Sequence, residues 1–518
     1  MGKWLNKWLL LLTAIVLTGS LYAVPTEAAG NQYNPVVERV LSVDIEEATI
    51  FELQHALQSG KLTSEELVQF YLERIEAYDD TINSIITVDE DVLEEARQLD
   101  QERKAGIVRG SLHGIPVILK DNYDTYDMPT TAGSLSLENS IPLDDAYQTK
   151  RLREEGAIIL GKANLHEFAF GFQTISSLGG QTYNPYDVTR YPGGSSGGTA
   201  AAVAANFVTV GLGTDTGGSI RIPSSFNNLV GIRPTIGLAS RDGIIPLALT
   251  QDVGGPIART VEDAAVVLDA IAGYDPADPT TENSIGNVPK TYKHYLKKNG
   301  LKKARIGVVR ELFGNDPQVN AAMDQAIADM ENLGAKVVEV SIPNLNQILS
   351  YPSLSGYEFK FQLNEYLASL GPDAPVRTLS DIIESGKYHP SLESGLKARD
   401  ERESLEDDER YQEIITTRPK LAQESLMATF NEHDLDAIFY PTSSALPAKV
   451  GGGQGAGSAN RLSPYSGFPA ISVPAGFSAE GLPIGLELLG KEFDEPILIK
   501  LAYAYQEGTK HRKAPELE

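Results

Sequence analysis

From residue 193 to residue 221 the chain reads GGSSGGTAAAVAANFVTVGLGTDTGGSIR, and no other stretch restricts the possible folds as much. Two glycine-rich turns, GGSSGG and TDTGGS, each carry serine. Glycine reaches positive φ and lets backbone approach a ligand or other backbone closely. What separates the turns is not linker. Thr199–Asn206 (TAAAVAAN) predicts a helix of small residues with a threonine start, and Phe207–Gly213 (FVTVGLG) predicts a buried strand. A flexible Gly/Ser connection has no reason to contain such a pair. The pair therefore packs, and it points to one site built from two loops, with serine hydroxyls beside backbone N–H groups.

Gly193–Gly197 also fits G-x-S-x-G, the nucleophile elbow of α/β-hydrolases. That elbow needs a strand directly before it. Tyr183–Pro192 (YNPYDVTRYP) has two prolines and no apolar run, so it reads as loop and the elbow is rejected. A Ser-His-Asp triad needs a histidine base. The seven histidines are His55, His113, His166, His294, His389, His433 and His511, and none is marked for that role by its neighbours. Lys120 is a better base. It ends the apolar strand Ile115–Lys120 within GIPVILKDNYDT, where burial penalises the charged form. The plainer alternative is a lysine that snorkels to water past the strand end. Asp121 beside the ammonium would favour its charged form, so the Asp121 carboxylate is expected to point away, and Asn122 to cap or orient the loop.

The quoted motifs join others: HGIPVILKDN (His113–Asn122), NLVGIRPTIGLASRDGIIP (Asn228–Pro246), TQDVGGPIART (Thr250–Thr260) and YSGFPAISVPAGFSAEGLPIGLELLG (Tyr465–Gly490). Together they resemble the amidase signature family of Ser-Ser-Lys hydrolases. Tyr357–Leu370 (YEFKFQLNEYLASL) is similar to its stand-alone branch, which includes peptide amidase. The resemblance implies Lys120 as base, Ser195 as bridging serine after a cis peptide bond, and Ser219 as nucleophile. It implies an oxyanion hole of the N–H groups of Thr216, Gly217, Gly218 and Ser219. Ser196, Asp215 and Arg221 are expected to support these turns, with substrate binding as the alternative for Asp215 and Arg221. Hydrolysis of carboxylic acid amides to acid plus ammonia or amine, through a Ser219 acyl-enzyme, is the expected activity. The alternatives are a protein like the glutamine-hydrolysing subunit of an amidotransferase and a catalytically silent binding protein on the same scaffold.

Strands are expected at Ile115–Lys120, Ala157–Leu160, Phe207–Gly213, Arg305–Val309, Val337–Val340, Asp436–Tyr440, Ala470–Val473 and Ile484–Leu488, alternating with helices. Thr63 and Glu66 form a capping box that opens a helix, and Asp89 starts another that ends before Gly106. Such alternation predicts an α/β fold. The resemblance implies a single large mixed β-sheet sandwiched between helices, over residues 45–512. Residues 345–435 read as helical, polar and a source of pocket walls. Phe168, Phe170, Phe172, Tyr183, Phe226 and Tyr357 are candidates for an acyl pocket or for core. Gly451–Gly457 (GGGQGAG) lacks the Gly-Lys-Ser/Thr of a phosphate loop and reads as surface loop, with a flap as the alternative.

Residues 1–29 carry Lys3 and Lys7, then an apolar run from Trp8 to Leu17 too short for a comfortable membrane span, then small residues. They predict a cleavable secretory signal, cut between 23 and 30, and a secreted or extracytoplasmic protein without stable membrane association; the alternative is an uncleaved anchor. The chain has no cysteine, which excludes disulfides and thiolate metal sites. No metal-binding motif is visible, and no cofactor is expected. A formal net charge of −26 argues against nucleic acid as a partner. The expected partner is a small-molecule or peptide amide substrate.

Overall fold

A computed structural model describes residues 44–517. The expected signal segment, residues 1–29, lies outside the described residues. An 11-stranded sheet runs through the molecule. Its strands are β1 (Ile85–Val88), β2 (Pro116–Lys120), β3 (Ile158–Ala163), β6 (Val210–Asp215), β7 (Val230–Arg233), β8 (Val253–Ala258), β9 (Arg305–Val308), β10 (Lys336–Glu339), β11 (Ala437–Pro441), β12 (Ala470–Phe477) and β13 (Pro483–Leu489). A separate two-stranded hairpin pairs β4 (Ile175–Ser176) with β5 (Gly180–Gln181). The order across the large sheet is β1-β3-β2-β6-β8-β7-β12-β13-β11-β9-β10. Strands β3, β2 and β6 are mutually parallel, as are β11, β9 and β10, and the pairs between these groups are antiparallel. The sheet is thus mixed, as expected.

Successive residues of a strand point to opposite faces. Every residue of β2, β3, β6, β7, β8, β11 and β13 is buried, so helices cover both faces. The edge strands β1 and β10 are only partly buried. The helix Ser64–Ile82 begins with the expected capping box: Glu66 N–H donates to Thr63 Oγ1 at 3.1 Å, and Thr63 N–H donates to Glu66 Oε2 at 2.8 Å.

Several boundaries differ from the sequence reading. The small-residue helix is Gly197–Ala204 with Ser196 at its N-cap, so Thr199 lies inside it and donates to Leu212 O at 3.3 Å. The strand after it starts at Val210, because Phe207–Thr209 complete the turn. Asp89 does not cap a helix; it accepts from Asp91 N–H at 2.9 Å, and the helix is Val92–Lys104. Strands β1, β4, β5, β7 and β8 have no counterpart among the expected strands.

The register of β2 and β6 positions the site. Leu119 lies opposite Leu212 in this parallel pair, so both strands end on the same side of the sheet. Lys120 ends β2, and Thr214 and Asp215 end β6 beside it, with Thr216–Ser219 following. The helix Gly197–Ala204 leads back into β6, which puts Ser195 and Ser196 at that same end. This is the crevice outside the carboxyl ends of parallel strands where α/β proteins place their ligands.

Candidate active site

Lys120 is fully buried. Its Nζ lies 2.7 Å from Ser195 Oγ and 2.6 Å from Thr214 Oγ1. Burial pushes its ammonium down to about 7, against the opposing pull of the Asp215 and Asp252 carboxylates. Asp121 turns away, as expected: it accepts from Thr131 and pairs with Lys162 Nζ at 3.2 Å. The lysine therefore sits against two hydroxyls rather than a carboxylate. Asn122 Nδ2 donates to Thr214 Oγ1 at 3.2 Å.

The Gly194–Ser195 peptide is cis. Gly194 has no room for a side chain, since a Cβ there would lie 2.8 Å from Gly171 O. Ser196 ties this turn to the end of β6: its Oγ accepts from Thr214 N–H and donates to Thr214 O, both at 3.2 Å. Ser196 N–H donates to Ser219 O at 3.2 Å, which joins the two glycine-rich turns through their main chains. Ser219 Oγ makes no hydrogen bond to the described residues. The residue lines a cavity of about 180 Å³ with Phe170, Phe172, Leu247, Arg461 and Tyr465. The structure thus brings Lys120 and Ser195 into direct contact, and it brings Ser219 to the same turn with its hydroxyl unengaged.

Asp215 organises the second turn. Its carboxylate accepts from Gly218 N–H at 2.7 Å, Ile220 N–H at 3.2 Å, and Arg221 Nε and Nη2 at 3.0 and 3.1 Å. Arg233 Nη1 adds a contact at 3.1 Å. Burial alone would raise this carboxyl, but Arg221 and Arg233 outweigh it and hold Asp215 far below the usual carboxylate range. Arg221 reaches on to Glu487 Oε1 at 2.5 Å and Asn460 O at 2.9 Å. Asp215, Arg221 and Ser196 thus tie the two turns together through these contacts.

Of the four N–H groups expected to form the oxyanion hole, that of Gly218 is engaged by Asp215 in this structure. Among the described residues the N–H groups of Thr216, Gly217 and Ser219 have no acceptor within the protein, and they are the donors open to an incoming oxygen. Gln251 fixes this turn from behind: its Nε2 donates to Thr216 O at 2.8 Å. Thr216 Oγ1 donates to Asp252 Oδ1 at 2.5 Å.

Of the six candidate aromatic residues, Phe170 and Phe172 line the cavity. Phe168 packs into the core against Phe359, Phe226 is buried with Ile222, and Tyr357 stacks on Tyr411. From residues 345–435 only Ser353 and Ser355 reach the cavity; other walls come from Gly457, Asn460, Arg461 and Tyr465. The glycine-rich loop is held at the surface, with Gly451 N–H donating to Tyr191 Oη at 2.9 Å and Gln173 Nε2 to Gly452 O at 3.1 Å. Sequence reasoning missed Thr214, Gln251 and Asp252. Thr214 sits inside the quoted TDTGGS motif, but only the register of β2 against β6 shows that it meets Lys120. Among the described residues no group of acidic, histidine and cysteine side chains is arranged to hold a metal.

The model of the amidase family matches residues 66–499. A probable amidase of Arabidopsis thaliana is 38% identical over 494 residues, covering 91% of this chain and 92% of that protein. A glutamyl-tRNA(Gln) amidotransferase subunit of Moorella thermoacetica is 39% identical over 491 residues, covering 90% and 98%. The structure of native peptide amidase from Stenotrophomonas maltophilia superposes with a TM-score of 0.85 at 39% identity, covering 91% of this chain and 99% of that one. The chain belongs to the amidase signature family. It is a hydrolase acting on amide bonds.

Proposed function

We propose that the protein is an exported, free-standing amidase that releases ammonia or amine from small-molecule or peptide amides through a Ser219 acyl-enzyme. The observation that carries this reading is the buried Lys120 amine, 2.7 Å from Ser195 Oγ and, among the described residues, without a carboxylate partner. Only a neutral amine has a lone pair for a proton, and burial supplies that state near neutral pH. Lys120 takes a proton from Ser195, which takes one from Ser219 as its Oγ attacks the amide carbon. The N–H groups of Thr216, Gly217 and Ser219 stabilise the tetrahedral oxyanion, each such donor contributing about 3 kcal/mol. Ser195 returns the proton to the leaving nitrogen, and water then opens the ester by the same route in reverse.

The relatives named as amidotransferase subunits support a second reading, in which the chain is one component of such an enzyme. The peptide amidase likeness and the signal-like residues 1–29 favour the free-standing enzyme. Ammonia release from simple amides by the isolated chain, without tRNA or partner chains, tests the choice. Ser219→Ala is expected to lower that release at least 10³-fold while leaving the fold intact, and a fluorophosphonate is expected to label Ser219. Turnover near wild type in Ser219→Ala overturns the mechanism. Export is tested by sequencing the mature N-terminus, expected to start between residues 24 and 30.

A further inference from the structure

Among the described residues four arginines are fully buried: Arg221, Arg233, Arg259 and Arg418. Arg221 and Arg233 pair with Asp215. Arg259 spreads its Nη groups over the carbonyls of Val208 and Ala48, each at 2.9 Å, and of Val203 at 3.4 Å. Arg418 is different. Among the described residues its hydrogen bond goes to a single carbonyl, Pro352 O, 2.9 Å from Nη1, and its Nε, like those of Arg233 and Arg259, has no partner. No carboxylate lies within ion-pair distance among the described residues. Its guanidinium lies over the Tyr465 ring, 4.1 Å from the centroid, which offsets part of the cost of burying the charge.

Arg418 lines a cavity of about 230 Å³, distinct from the Ser219 cavity although Tyr465 borders both. The other walls include Leu354, Ile415, Pro419 and Pro464, with the exposed Glu492 among the lining residues. Pro419 sits inside the helix Glu409–His433 and has no N–H to give the Ile415 carbonyl, so the regular ladder is interrupted beside the cavity. A buried cation with an unused donor, beside a space larger than a few waters whose walls are part polar and part apolar, is completed by an anion. A guanidinium fits a carboxylate with two parallel hydrogen bonds.

We propose that this cavity binds a small monocarboxylate with an apolar body, its carboxylate on the Arg418 guanidinium. Leu354, Ile415, Pro419 and Pro464 take the body of such a ligand, polar atoms of Thr250, Asn283 and Gln423 border the same space, and the acidic Glu492 disfavours ligands with several negative charges.

The test is calorimetric titration of the whole protein with phenylacetate, with 2-phenylethanol as the uncharged counterpart. Saturable phenylacetate binding at least tenfold tighter than that of the alcohol is expected. Arg418→Gln is expected to weaken it at least tenfold. Ile415→Trp, which fills the space and keeps the arginine, is expected to do the same if the protein folds as judged by circular dichroism. Arg461→Gln alters the Ser219 cavity and is expected to leave the affinity within twofold. Absence of binding at 20-fold the concentration of a typical ~1 mM ligand overturns the proposal. So does affinity unchanged by Arg418→Gln or Ile415→Trp, or lost in Arg461→Gln, which places the ligand in the Ser219 cavity.

Discussion

An ammonium on Lys120 has three N–H bonds to place, whereas the neutral amine has two and a lone pair. The structure offers it two hydroxyls, Ser195 and Thr214, one acceptor fewer than an ammonium needs, whereas a neutral amine can donate to Thr214 and turn its lone pair to the Ser195 hydroxyl. Activity that needs the neutral amine falls as pH drops through about 7, and kcat/KM is expected to lose tenfold per pH unit below that value and to level off above it. Thr214 accepts an N–H from Lys120 and so favours the charged form. Thr214→Val is therefore expected to move the acid limb to lower pH while kcat falls about tenfold, because the lysine loses the contact that aims it. A pH profile of the variant separates these effects from simple misfolding, which would not move the limb. The same lysine burdens the fold. Its folded-state value, about 7, lies below the ordinary 10.5, so the folded state resists protonation and stability is lost as pH falls between those values. Lys120→Met is expected to be inactive yet more stable in urea by about 1–3 kcal/mol at pH 7, an advantage that fades toward pH 10.5.

Among elements, the helix Gly197–Ala204 shows how tightly the site is built. A Cβ on Gly198 would lie 2.2 Å from Asn164 O and 2.6 Å from Asn164 N, both backbone atoms. In an open helix Gly→Ala is stabilising by about 1 kcal/mol. Here Gly198→Ala is expected to cost about 2–3 kcal/mol in chemical unfolding, because overpacking against backbone cannot be relieved by a rotamer change. Periodicity and turn chemistry made β2, β3, β9, β11, β12 and β13 legible, since each is an apolar run between breakers. They hid β8, whose Val253–Ala258 run holds Gly254, Gly255 and Pro256. Those glycines are required by close approach: a Cβ on Gly255 would lie 2.4 Å from Ile232 O, and one on Gly254 2.4 Å from Tyr123 Oη. The residue types that normally end a strand are here the ones that let it pack. The same limit applies to the oxyanion turn. TDTGGS announces a row of N–H groups, but which of them is already taken depends on the Asp215 side chain, whose direction follows from Arg221 and Arg233 in separate elements.

Across the whole molecule the sheet is sewn from distant segments, with β7 pairing to β12 and β13 lying between β12 and β11. The two ends of the described chain close over this assembly. Arg512 meets Glu47 through two hydrogen bonds, Nε to Oε2 at 2.9 Å and Nη2 to Oε1 at 2.6 Å. It also donates to Ala204 O at 3.0 Å, at the end of the helix that leads from Ser195. The clasp therefore ties both ends of the described chain to an element of the active site. Burial alone would raise the Glu47 carboxyl, but Arg512 outweighs it and holds the group below its ordinary 4.5. The Glu47 side chain is 34% exposed, so solvent screening limits the pair to about 1 kcal/mol. A carboxyl lowered in the folded state contributes its stability above the ordinary 4.5 and loses it as pH falls through the lower folded value. Arg512→Ala is thus expected to be about 1–2 kcal/mol less stable than wild type in urea at pH 7, counting the lost Ala204 contact. Titrating both proteins from pH 7 to pH 3 should narrow that gap below about pH 4.5, because protonated Glu47 no longer distinguishes them; a gap constant with pH would assign the loss to packing alone.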